Sequence, residues 1–68
     1  MKNLDRIIHM AAVAKGMNKG DVAKEVGRTS RYLWDSLKTG SIKLDVFADV
    51  CRAVDITPHE ALAKAEEL

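Results

Sequence analysis

The chain carries a single cysteine, Cys51, which excludes an intramolecular disulfide and any zinc site built on cysteine pairs. Long apolar runs are missing too. The longest, Met10 to Ala14, is five residues, far short of the ~20 that a membrane-spanning helix needs. Met1-Lys2-Asn3-Leu4-Asp5-Arg6 leads into no signal-type apolar core, so a cytoplasmic protein with no membrane association is expected. Sixty-eight residues hold one domain, spanning 1–68, and no α/β enzyme scaffold. No nucleophile–base pairing, glycine-rich phosphate loop or paired-carboxylate motif occurs, so no enzymatic activity is expected. His9 and His59 stand far apart with no cysteine or carboxylate arrangement around them, so neither a metal ion nor a cofactor is implied. With 47% apolar and 31% charged residues the chain is also not a disordered tail. It has to fold on packing alone, at a size where one core leaves little margin, and help from a second subunit is expected.

A formal net charge of +1 conceals a division. Between Lys15 and Lys43, seven basic residues face three acidic ones, a net of +4. From Leu44 to Leu68, two basic residues face six acidic ones, a net of −4. One end attracts a polyanion and the other repels it, which orients an encounter.

Helix punctuation divides the chain into five short helices, an all-α architecture. Asn3 is placed to cap a first helix with Leu4, Ile7, Ile8, Ala11, Ala12 and Ala14 at helical spacing, ended by Gly16. Asn18 caps a second, with Asp21 in the reciprocal position, which buries Val22, Ala23 and Val26 and stops at Gly27. Either Thr29 or Ser30 caps a third, running to about Lys38 with Leu33 and Leu37 inward beside the small Ser36; Gly40 stops it. The fourth aligns Leu44, Phe47, Val50, Cys51 and Val54 on one face. Thr57-Pro58-His59-Glu60 reads as a capping box opening a fifth. No strand pattern, repeat or linker interrupts this.

The informative unit is Lys19 to Lys38. Two short helices meeting steeply need a small residue at the crossing and a positive-φ residue at the turn, and Ala23 and Gly27 supply them. Val22, Val26, Leu33 and Leu37 lock the pair to the core. The third helix is left with a polar outer face of Ser30, Arg31, Tyr32, Asp35 and Lys38. A helix anchored on one side and carrying hydrogen-bonding side chains on the other is what reading a DNA major groove requires. The positive charge falls in the same segment.

Met17-Asn18-Lys19-Gly20-Asp21-Val22-Ala23-Lys24-Glu25-Val26-Gly27, the polar third helix, and the helix from Leu44 to Val54 together resemble the Cro/lambda-repressor-type (XRE) helix-turn-helix domain. The resemblance spans about Leu4 to Leu62, and within the family it is nearest to small phage repressors and addiction-module antidote proteins. It implies a compact five-helix domain whose second and third helices form the helix-turn-helix. It also implies a homodimeric transcriptional regulator, usually a repressor, bound to a pseudo-palindromic double-stranded DNA operator. The chain departs from the pattern at Lys19, where the family commonly has glutamine, and at Arg28, where it has an apolar residue.

Arg31 is the leading base reader, because a guanidinium bonds guanine O6 and N7 together. Asp35, one turn on, either holds Arg31 or accepts from cytosine N4; a solvated ion pair between the two is the plainer alternative. Thr29 and Ser30 are further base-contact candidates, with Thr29 also a candidate cap. Asn18, Lys19, Arg28, Tyr32, Lys38, Ser41 and Lys43 form the phosphate-contact set. Trp34 is expected to pack within the domain, and Cys51 to act as a small hydrophobe. The acidic end, where Ile56, Ala61, Leu62, Ala65 and the terminal Leu68 form an apolar stripe, is the expected homodimer contact; the plainer alternative is that these residues cap the domain's own core. A protein-interaction module, antitoxin-like and directed at a partner protein, is the alternative function.

Overall fold

In the computed structural model, which describes residues 3–67, the elements are α1 (Leu4–Ala14), α2 (Lys19–Val26), α3 (Ser30–Thr39), α4 (Leu44–Ala53) and α5 (Pro58–Glu67). The described residues contain no strand. The caps explain where the helices begin. At α2, Asn18 Oδ1 accepts from the Asp21 N–H at 2.8 Å while the Asn18 N–H donates to the Asp21 carboxylate at 3.0 Å, a complete capping box. At α3 the cap is Thr29, whose hydroxyl oxygen accepts from the Tyr32 N–H at 3.3 Å. Gly20 sits one residue inside the α2 box; a Cβ there would lie 3.3 Å from the capping Asn18 Oδ1, so alanine's better helix propensity is opposed by crowding at the cap.

Two expected caps differ. Asn3 does precede α1, but in the left-handed region at φ 65°, with no side-chain cap. A capping side chain needs an extended backbone beneath it. Asn3 instead donates its N–H to the Lys38 carbonyl at 3.3 Å, tying the start of α1 to the end of α3. At α5, Thr57 accepts from the Glu60 N–H at 3.1 Å, whereas the Glu60 carboxylate meets the Thr57 hydroxyl, at 3.5 Å, rather than the backbone N–H.

The five helices close around one core. α1 packs against α3, α5 and α2; α2 against α3 and α4; α4 against α5. Ile8, Ala12, Val22, Leu33, Leu37, Val50, Cys51 and Ala61 are fully buried. Val26 is half-buried rather than buried, and Ala14 is exposed. Leu44 departs most, at 78% exposure, with Val46 buried in its stead. It is the first residue of α4, and helical side chains lean toward the N-terminus, so it overhangs the edge of the core with no preceding turn to shelter it.

Gly27 joins α2 to α3 at φ 71°, and a Cβ there would meet nothing within 4 Å. Its requirement is therefore conformational. Gly27→Ala should cost about 1–2 kcal/mol of stability, and Gly27→Asn less, because asparagine tolerates the left-handed region. Urea unfolding of the three proteins measures both.

Burial of Cys51 raises its thiol pKa to about 11 from 9.0, through desolvation of the thiolate. A folded-state pKa above the unfolded value means that this contribution to stability is complete below about 9 and is lost as pH rises toward about 11. Cys51→Ala should therefore flatten the stability profile between those values. An equally steep alkaline decline in the variant would assign it to other groups.

Candidate nucleic-acid interface

The inner face of α3 is Leu33, Trp34, Ser36 and Leu37, all buried. Ser36 needs a partner at that depth and has one, its hydroxyl donating to the Leu33 carbonyl at 2.9 Å. The opposite face presents Ser30, Arg31, Tyr32, Asp35 and Lys38, all exposed. Arg31 Nε lies 4.0 Å from the Asp35 carboxylate, with the two side chains 94% and 74% exposed. Such an i,i+4 pair contributes a few tenths of a kcal/mol at most, so a guanine edge can redirect the guanidinium at little cost.

The remaining predicted residues have distinct local situations. Thr29 spends a lone pair on its cap and keeps a hydroxyl proton to donate. Asn18 likewise commits its side-chain oxygen to the α2 cap, leaving the amide NH2. Arg28, in the α2–α3 turn, Lys38, at the end of α3, and Lys43, just before α4, are exposed cations. Ser41 is less free. Thr39 donates its hydroxyl proton to the Asp35 carbonyl at 3.1 Å, so the 2.9 Å contact between Thr39 and Ser41 takes its proton from Ser41. Ser41 must give up that bond before it can donate to a phosphate.

Lys19, the first residue of α2, lies with its ammonium 5.3 Å from the centroid of the Trp34 ring, and the Trp34 Nε1–H donates to the Lys19 carbonyl at 3.2 Å. His9 on α1 meets the same ring edge-on, centroids 6.0 Å apart at 74°. Trp34 is 8% exposed and packs between these residues. Lys15, counted within the basic segment, turns elsewhere. Its ammonium donates to the Ala53 carbonyl at 3.1 Å, capping the C-terminus of α4 where a cation is favoured by the helix dipole.

No protein-family model, characterised protein or solved structure matches this chain. The arrangement of its own side chains therefore carries the functional argument. Among the described residues, no group of three or more His, Cys, Asp or Glu lies close enough together to hold a metal ion. No described helix is long and apolar enough to cross a membrane.

The expected dimer contact needs one correction. Ala61 is fully buried within its own chain's core, a methyl group filling the space where α5 packs on α1 and α4, so it presents nothing to a second subunit. Ile56 and Ala65 are half-buried against the same core, while Leu62 is 36% exposed. Leu68 lies outside the described residues. Leu62 lines a shallow apolar groove with Leu4, Ile42, Leu44 and Phe47. Met10 and Val13, at 68% and 60% exposure, are further apolar surface on α1 that helical spacing alone had assigned no role.

Proposed function

We propose that the protein is a sequence-specific, double-stranded-DNA-binding transcriptional regulator, a repressor of the lambda-repressor-like helix-turn-helix type, with α2 and α3 as the helix-turn-helix and α3 in the major groove. One observation carries this reading. The helix that is packed on one side by Leu33, Trp34 and Leu37 presents Ser30, Arg31, Tyr32 and Asp35 on the other, and exposed cations flank it in sequence at Arg28, Lys38 and Lys43. In this reading Arg31 reads a guanine, Asp35 steadies it or accepts from cytosine, and Ser30 and the free proton of Thr29 reach neighbouring base edges. Arg28, Lys38, Lys43, Lys19, the Asn18 amide and the Tyr32 hydroxyl hold phosphates, fixing register without reading sequence. The homodimer that doubles these contacts on a pseudo-palindromic site forms at the acidic end, around Leu62 and Leu44.

The test is binding to DNA from upstream of the protein's own gene against scrambled DNA of equal length, at two salt concentrations. A preference of about a hundredfold or more that survives the higher salt supports operator reading. Equal, weak binding to both, collapsing together as salt rises, reduces the basic surface to non-specific electrostatics. The exposed Met10 and Val13 favour a second reading in that event, a module whose main target is a partner protein.

A further inference from the structure

Trp34 directs both of its chemistries at one residue. Its indole N–H holds the Lys19 carbonyl at 3.2 Å, and the Lys19 ammonium stands 5.3 Å from its ring centroid. His9 braces the ring from α1, at 6.0 Å and 74°. A leucine at this buried position would fill apolar volume but would neither donate to a carbonyl nor attract a cation. The contacts join α3 to the first residue of α2, fifteen positions earlier in the chain.

A lysine on a surface helix samples many rotamers, and a phosphate contact must bear the entropy of fixing one of them. A ring already under the ammonium restricts that sampling in advance. It leaves the contact available, because an ammonium has three protons and the ring face engages one side of it. We propose that Trp34 is the positioning residue for Lys19: it pins the first turn of α2 to α3 and presents the Lys19 ammonium as a pre-placed phosphate contact beside the reading helix. This inference rests on the DNA-binding reading above.

The experiment is a double-mutant cycle on DNA binding, with operator and scrambled duplexes titrated in parallel and helical content checked by circular dichroism. Lys19→Ala should weaken binding to both duplexes alike, by roughly fivefold, and lower the salt slope by about 1. Trp34→Leu should weaken both to a similar degree. In the Lys19→Ala background it should add nothing, because the group it positions is gone. Trp34→Phe loses the N–H and keeps an aromatic face, though a smaller one that attracts a cation less strongly, so it should fall between the parent and Trp34→Leu. If Trp34→Leu does not fold, Trp34→Phe decides: a loss in the parent that vanishes in the Lys19→Ala background supports the proposal. Equal losses in both backgrounds overturn it and leave Trp34 a packing residue. No effect of Lys19→Ala overturns it as well, while operator preference in the parent keeps the functional reading intact. A parent protein with no salt-dependent DNA binding ends both.

Discussion

Leu33→Ala is expected to lower stability by about 2–5 kcal/mol and the melting temperature by at least ~10 °C. Leu33 is completely buried, on the face of α3 opposite the polar residues, so truncation leaves a cavity against α1 and α2, the helices on which α3 packs. A chain of this length has roughly 3–10 kcal/mol of total stability to lose, so this one truncation takes a large share of it. Leu37→Ala, equally buried one turn on, should behave alike. Lys38→Ala, on the exposed side of the same helix, should change stability by less than about 0.5 kcal/mol. Thermal and urea unfolding followed by circular dichroism read all three. A shift of only a few degrees in Leu33→Ala would mean that α3 is not anchored through this residue, and the division of α3 into a packed and a free face would fail with it.

That division was legible in the sequence because it depends on local rules. The Asn18–Asp21 box, a hydroxyl cap at Thr29 or Ser30, which the structure assigns to Thr29, and the glycine at the α2–α3 turn act over three or four residues, and helical spacing places Leu33, Ser36 and Leu37 inward. What the sequence did not disclose is set by contacts between distant segments. Asn3 has the composition of a cap, but its backbone is drawn into a left-handed turn by the Lys38 carbonyl at the far end of α3. Lys15 reads as one of a basic cluster until the structure brings it 3.1 Å from Ala53, thirty-eight residues later. Leu44 satisfies the period of α4 and still projects outward, because periodicity gives a direction around the helix and not a distance beyond its end. Ala61 fits an apolar stripe equally well as core or as contact surface, and only the positions of α1 and α4 decide for core. Leu62, next in the chain, keeps 36% exposure for the opposite reason, standing at the rim of that same packing.

Arg31→Ala should separate the two functional readings more sharply than any other single change. The side chain is 94% exposed, and its nearest acidic partner, Asp35 at 4.0 Å, is 74% exposed, so removing it should leave stability within about 0.5 kcal/mol of the parent. A bidentate guanidinium–guanine contact discriminates by about 1–3 kcal/mol, so loss of that contact should lower the ratio of operator to scrambled affinity by roughly fivefold to a hundredfold. Binding to scrambled DNA should fall only modestly, as for any one cation lost from a basic surface. Lys38→Ala provides the contrast, weakening both duplexes together and leaving the ratio unchanged. The Asp35→Ala variant then divides its two roles. If Asp35 only steadies Arg31, its removal is silent in the Arg31→Ala background; if it accepts from cytosine, the further loss appears at one base pair and disappears when that pair is changed. An Arg31→Ala protein that keeps the parent's ratio would take base reading away from this helix face, and the apolar surface of Met10 and Val13 would become the better guide to what the protein recognises.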